Sequence, residues 1–134
     1  MTLSSEQMQE YRLLKNNGVE VSKDHRITPH TGEETKIHYH AKCAVALLAK
    51  QHNYMATCEC EVPRGSTDVL LWGHPKRQTL AVEIEHSPTK ENNSVKLQKY
   101  VRETPIDDMI VINANELSLN LLELHDQIER EVGL

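Results

Sequence analysis

The sequence predicts a single α/β domain in which helices flank a central mixed β-sheet. Segments with the apolar period of a helix alternate with segments of strand character, and the core order is helix, three strands, helix, strand. A length of 134 residues suits one domain, and we find no repeat, low-complexity tract or internal boundary. We therefore expect an N-terminal helix and connector over 1–34, a core over 35–115 and a C-terminal helix over 116–134.

The composition is typical of a water-soluble chain with an aliphatic core. Hydrophobic residues make up 38% and charged residues 26%, while Phe is absent and Trp occurs once. No apolar run approaches the roughly 20 residues that cross a bilayer, and the N-terminus lacks signal-peptide character. We therefore expect a cytoplasmic protein that does not enter the membrane. The net charge of −5 argues against non-specific coating of nucleic acid, but it is compatible with a carboxylate site that a divalent cation neutralises.

Two helices are expected before the first strand. The first spans 4–17 and ends at Gly18, with an apolar stripe formed by Met8, Tyr11 and Leu14. Residues 19–34 have no clear period and contain turn signals, so we interpret them as a connector. The second helix begins near 33–35 and stops around His52. Its stripe repeats at spacings of four, three and four: Ile37, Ala41, Ala44 and Leu48.

Three consecutive strands are predicted next, over 54–62, 67–73 and 79–85. The segments between them are rich in Pro and Gly, which marks them as turns. If the second and third strands pair as a hairpin, the start of one lies beside the end of the other.

The C-terminal third should add a helix, a strand and a helix. Residues 91–102 have the composition of a polar helix, and 108–114 form an apolar strand whose near-continuous run indicates burial on both faces. The final helix is predicted over 117–131. Its apolar stripe is Leu117, Leu121, Leu124 and Ile128.

Three carboxylates should converge at one edge of this sheet. Glu83 and Glu85 end the third strand, and strand alternation directs both to the same face. Asp68 begins the second strand, so antiparallel pairing would bring it next to them. Like charges on a half-buried face need an offsetting cation, and an all-oxygen set suits Mg²⁺ or Mn²⁺. The alternative is that these residues are ordinary solvent-facing positions on a hairpin.

The segments 67-TDVLL-71 and 81-AVEIEHS-87, with the element order around them, resemble the restriction-endonuclease-like superfamily of PD-(D/E)XK nucleases. The resemblance covers about residues 35 to 115. It implies that Asp68 and Glu83 hold Mg²⁺. It also implies that Glu85, a variant of the lysine usually found two residues on, is a metal ligand or the base for the attacking water.

Because this lysine is missing, the sequence does not show which residue deprotonates and orients the attacking water. Lys90, just after the third strand, or Lys96, on the following helix, could replace it, although a solvated surface lysine is the simpler interpretation of each. On that helix, Gln98 and Tyr100 do not match the Gln-x-x-x-Tyr pattern of the exonuclease branch. Basic residues expected to surround the carboxylates and contact phosphates are Lys42, Lys50, Arg64, Lys90, Lys96 and Lys99.

A second group of potential ligands is formed by histidine and cysteine. His40 and Cys43 should share a helix face, and Cys58 and Cys60 a strand face, which together could form a tetrahedral zinc set. The spacing matches no standard zinc motif, and cysteines are commonly buried without a metal, so we expect no zinc. The three cysteines of the chain are expected to be reduced thiols. His86, next to Glu85, could tune the carboxylate site.

The leading functional prediction is a Mg²⁺-dependent endonuclease acting on DNA, with Asp68, Glu83 and Glu85 as the catalytic and metal-binding residues. The resemblance also implies a possible homodimer, for which the first helix and the C-terminal leucine stripe are candidate surfaces. One alternative is a catalytically silent nucleic-acid- or protein-binding module on the same fold. Another is a zinc-stabilised regulatory protein.

Overall fold

The computed structural model describes residues 2–23, 35–86, 88–102 and 104–134. Helix α1 spans Ser5–Asn16 and α2 Lys36–Gln51. Strands β1, β2 and β3 span Met55–Val62, Gly65–Trp72 and Leu80–Glu85. They are followed by α3 over Lys90–Tyr100, β4 over Asp108–Asn113, a 3₁₀ turn over Ala114–Glu116 and α4 over Leu121–Val132.

The described residues form a single α/β domain with a four-stranded mixed sheet. The strand order is β1-β2-β3-β4, in which β1, β2 and β3 pair antiparallel and β4 pairs parallel to β3. This confirms the predicted class, element order and β2–β3 hairpin. No helix in the described part of the chain is both long and apolar enough to cross a bilayer. The predicted connector falls mostly on residues 24–34, which lie outside the described residues.

Two apolar layers cover the sheet, one on each face. Neighbouring residues of a strand point to opposite faces, and Leu70 and Leu71 of β2 belong to different core clusters. The cluster of Leu71 includes residues of α2 and α4, whereas that of Leu70 includes Leu14 of α1 and Tyr100 of α3. The helices that position the candidate site therefore approach it from both sides of the sheet.

Helix starts follow from side-chain caps. The Ser4 hydroxyl accepts the Gln7 amide while the Gln7 side chain accepts the Ser4 amide, which forms a capping box at α1. Thr35 caps α2 by accepting the His38 amide at 3.2 Å. This second cap fixes the first turn of α2, which reaches the candidate site.

The C-terminal helix differs from its prediction. Asn120 is its N-cap and accepts the amides of Leu122 and Glu123, so the helix begins at Leu121 and not at 117. Leu121 is 57% exposed and does not belong to the buried stripe. The residues of α4 that pack into the core are Leu124, Ile128 and Val132. Most of this stripe is used within the chain, and the homodimer stays a prediction.

Strand β4 is less deeply buried than its apolar sequence predicted. It is an edge strand in which Ile110 and Ile112 pack against one core cluster and Met109 against the other, and of its residues only Ile112 is fully buried. Continuous apolar composition is shared by central strands and by some edge strands, so sequence alone does not separate them.

Candidate metal and phosphate site

Asp68, Glu83 and Glu85 converge where β2 and β3 separate. One carboxylate oxygen from each lies within 4.8 Å of the others. Their side chains differ in exposure: 14% for Asp68, 3% for Glu83 and 31% for Glu85. The three residues predicted from sequence are therefore brought together, with Glu83 at the buried end and Glu85 at the open end.

The carboxylates replace the backbone ladder at this point. The recorded β2–β3 pairing ends at Val69 and Val82, next to the site. The Asp68 amide donates to the Glu83 carboxylate at 2.9 Å, and the Ile84 amide donates to the Asp68 carboxylate at 2.7 Å. Each strand thus satisfies a donor of the other with a side chain, which fixes both carboxylates without closing the gap between the strands.

Their protonation follows from burial and mutual repulsion. Burial, and after it the neighbouring Asp68 carboxylate, raises the pKa of Glu83 from 4.5 to about 8. Burial also acts to raise the pKa of Asp68, but hydrogen bonds from His38 and the Ile84 amide outweigh it and the net shift is downward. These shifts favour an ionised Asp68 beside a neutral Glu83 when no cation is bound.

Lys96 is the basic residue that enters this site. Its ammonium contacts Glu85 and lies 3.9 Å from the Glu83 carboxylate, and the lysine is 26% exposed. Lys90, the other sequence candidate, is exposed at the first position of α3. A lysine therefore does reach the carboxylates, but from the following helix and not from the strand.

The other basic residues do not form the expected ring around the site. Lys42 is fully buried and bonded to Glu59, so it is not available for phosphate. Lys50 is exposed in the last turn of α2, and Arg64 is exposed in the β1–β2 turn. The Lys99 side chain lies outside the described part of the chain.

His38 is a site residue that sequence reasoning missed. Its Nε2 lies 3.4 Å from Asp68 Oδ1, and its side chain is 14% exposed. Sequence reasoning considered His40 on the same helix instead. The available signal was that His38 precedes the buried Ala41 by three residues, which places both on the sheet-facing side of α2.

His86 and Tyr100 complete the surroundings of the carboxylates. His86 bridges two elements, with Nδ1 3.2 Å from Asn115 Oδ1 and Nε2 3.4 Å from the Thr35 hydroxyl. Burial raises the pKa of the buried Tyr100 hydroxyl, and the carboxylates of Glu83 and Asp68 add to the shift. The cavity over the site has a volume of about 360 Å³ and is lined by His38, Ser66, Asp68, Glu83, Ile84, Glu85, His86, Lys96 and Tyr100.

The predicted zinc ligands do not assemble. Cys58 belongs to the core cluster beneath α2, whereas Cys60 belongs to the cluster on the opposite face of the sheet. The expectation that the two cysteines share a face was wrong because Glu59, between them, has a left-handed backbone angle (φ 48°) that interrupts the alternation. Among the described residues, the group of three or more potential ligands that lie close enough together to bind one metal ion is that of the three carboxylates.

The donor set fits a hard divalent cation. All three donors are carboxylate oxygens, which Mg²⁺ and Mn²⁺ prefer, and Glu85 faces an open cavity that leaves room for water and a phosphate. A cation would also favour the ionised form of Glu83, which burial and the Asp68 carboxylate disfavour. No protein-family model, curated protein or solved structure matches this chain, so its function has to be inferred from these residues.

Proposed function

We propose that this chain is a metal-dependent nuclease that hydrolyses phosphodiester bonds in DNA, with a fold of the restriction-endonuclease-like type. The observation that carries the proposal is the meeting of Asp68, Glu83 and Glu85 with Lys96 in one open cavity. The order of elements from α2 to β4, with the acidic residues at the start of β2 and the end of β3, agrees with the PD-(D/E)XK pattern.

Asp68, Glu83 and Glu85 would hold Mg²⁺ or Mn²⁺ through their carboxylate oxygens. When bound, such an ion increases the acidity of water and stabilises negative charge on phosphoryl oxygens. His38 donates to Asp68 Oδ1 and so helps to fix the orientation of this carboxylate. The amide hydrogen bonds of Asp68 and Ile84 hold the other oxygens in place before any substrate arrives.

Glu85 and Lys96 would handle the attacking water and the phosphate. Glu85 is the most exposed of the three carboxylates and can accept a proton from water at the open side of the site. The Lys96 ammonium, placed between Glu83 and Glu85, can stabilise charge that develops on the phosphate during attack. In this proposal Lys96 does the work of the lysine that the strand lacks.

One observation favours a second candidate, a catalytically silent binding module on the same fold. Lys96 already contacts Glu85, and the raised pKa of Glu83 favours its neutral form, so a metal is not needed to offset these two charges. A module of this kind would bind nucleic acid or protein with no requirement for Mg²⁺.

The decisive experiment is incubation with linear, circular and branched DNA in Mg²⁺ or Mn²⁺, in parallel with EDTA. We expect metal-dependent cleavage by the wild type and at least a hundredfold slower cleavage by Glu83→Gln, which keeps the shape of the residue but loses its charge. Glu61→Gln, an exposed change on β1, is the matched control and should cleave normally. Cleavage of no substrate, or equal cleavage by Glu83→Gln, would refute the nuclease; metal-independent binding without cleavage would favour the silent module.

A further inference from the structure

A buried ion pair lies directly beside the carboxylate site. The Lys42 ammonium is 3.0 Å from Glu59 Oε1, and the side chains are 0% and 16% exposed. Removing a lysine from water is costly, and such pairs add little net stability compared with apolar residues of the same size. The pair therefore calls for an explanation other than stability.

Glu59 reaches Lys42 only because its backbone is unusual. Cys58 points toward α2, so regular alternation would direct Glu59 to the opposite face of the sheet. The left-handed backbone at Glu59 (φ 48°), which is uncommon for a residue with a side chain, allows its carboxylate to turn back toward α2. The strand thus adopts a strained conformation at the residue that holds the buried lysine.

This residue stands opposite Asp68. The pairs Cys58–Val69 and Cys60–Thr67 flank the position at which Glu59 faces Asp68 across β1 and β2. On α2, His38 and Lys42 are four residues apart and share a face. Two adjacent turns of one helix therefore contact two facing strand residues, His38 with Asp68 and Lys42 with Glu59.

We propose that Lys42 and Glu59 are positioning residues, whose buried contact fixes α2 against β1 and β2 so that His38 meets Asp68 and the Asp68 carboxylate is held for metal and substrate. The proposal rests on the proposed function for the identity of the ligand. The placement of His38 and Asp68 by the buried pair does not depend on that function. Without the pair, α2 would lose a buried charged hydrogen bond to β1, and such a bond fixes the distance between two elements more sharply than apolar packing does.

The test replaces the pair with apolar residues of similar size, in Lys42→Met/Glu59→Met. Hydrogen exchange of the Asp68 and Ile84 amides, measured by NMR in EDTA, reports the carboxylate contacts directly. We expect both amides to exchange at least about tenfold faster while the Ala81 amide is unchanged, and the Kd for Mn²⁺ to rise about tenfold. The control Lys50→Met/Glu61→Met makes the same chemical change at exposed positions of α2 and β1 and should leave all three quantities as in the wild type.

The outcomes separate the two proposals. If the exchange rates of the Asp68 and Ile84 amides and the Mn²⁺ affinity are all unchanged, the positioning role is overturned. If both amides exchange faster in the double variant but the wild type binds no Mn²⁺, the positioning role is supported and the nuclease is refuted. Glu59→Gln keeps an acceptor for Lys42 but loses the charge, so both readouts should shift in the same direction as in the double variant. If the double variant does not fold, Glu59→Gln decides alone, and exchange rates and Mn²⁺ affinity equal to those of the wild type would then overturn the proposal.

Discussion

The two ends of the β2–β3 hairpin differ in how their carboxylates are arranged. At the end near the β2–β3 loop, Glu10 accepts the Gly73 amide at 3.1 Å and the Thr79 hydroxyl, and Asp107 accepts the Thr79 amide at 2.8 Å. Both carboxylates contact Thr79, and each satisfies donors of the polypeptide itself.

At the other end, Asp68 and Glu83 also accept backbone amides, but here a third carboxylate, Glu85, converges with them and Lys96 contacts the group. A carboxylate that accepts a strand amide is thus ordinary structure in this molecule. What distinguishes the site is the convergence of its carboxylates. Each added negative charge increases their mutual repulsion, which a bound cation would remove.

The largest difference between the ends should be seen with Asp68→Asn against Asp107→Asn. Both changes remove a charge while keeping an oxygen that can accept the amide. We expect Asp68→Asn to lower kcat for DNA cleavage about a thousandfold, because a ligand of the metal is lost. Asp107→Asn should cleave within twofold of the wild type. Equal losses in the two variants would mean that the carboxylates act through the fold and not as a site.

A second contrast concerns Lys96 and Lys90 on the same helix. We expect Lys96→Met to lower kcat about a hundredfold, since charge on the phosphate loses its partner. The Kd for Mn²⁺, measured by calorimetry, should stay the same or fall, because a competing cation has left Glu85. Lys90→Met is the control and should change neither quantity. A rise in the Mn²⁺ Kd without loss of kcat would show that Lys96 only orders the carboxylates.

The third contrast is in pH dependence. Because the pKa of Glu83 is raised to about 8 in the fold, the folded state binds more protons than the unfolded state from about pH 4.5 to 8. The free energy of unfolding in EDTA should therefore fall by about 2 kcal/mol between pH 6 and pH 8. The lowered pKa of Asp68 makes the free energy of unfolding rise with pH, but only in the acid range, below the pH values compared.

Urea unfolding at the two pH values measures this change. Glu83→Gln should abolish most of the fall, and saturating Mn²⁺ should do the same in the wild type. Glu10→Gln, at the other end of the hairpin, should keep the wild-type dependence. A wild-type fall that persists in Glu83→Gln would assign the titration to another group.

The sequence was sufficient to predict the element order and the meeting of Asp68, Glu83 and Glu85, because strand alternation and hairpin pairing are local rules. It was not sufficient for His38 or for the choice of Lys96 over Lys90, since those depend on how far a helix approaches the sheet. The error at Cys58 and Cys60 has a similar origin. Left-handed backbone at a glutamate has no sequence signal, and it depends on a buried lysine from another element.

The smallest effect is expected for Glu10→Ala. This change removes the acceptor of the Gly73 amide and the Thr79 hydroxyl, both partly buried, and should lower the free energy of unfolding by about 1–2 kcal/mol. Glu6→Ala, an exposed change on the same helix, should cost less, since only a weak interaction with the helix dipole is lost. Neither should alter the Kd for Mn²⁺, because the regular β2–β3 pairing from Val69 to Leu71 separates Glu10 from the site. A change in Mn²⁺ affinity greater than about threefold in Glu10→Ala would show that the two ends of the hairpin are coupled and that the isolated-site interpretation is wrong.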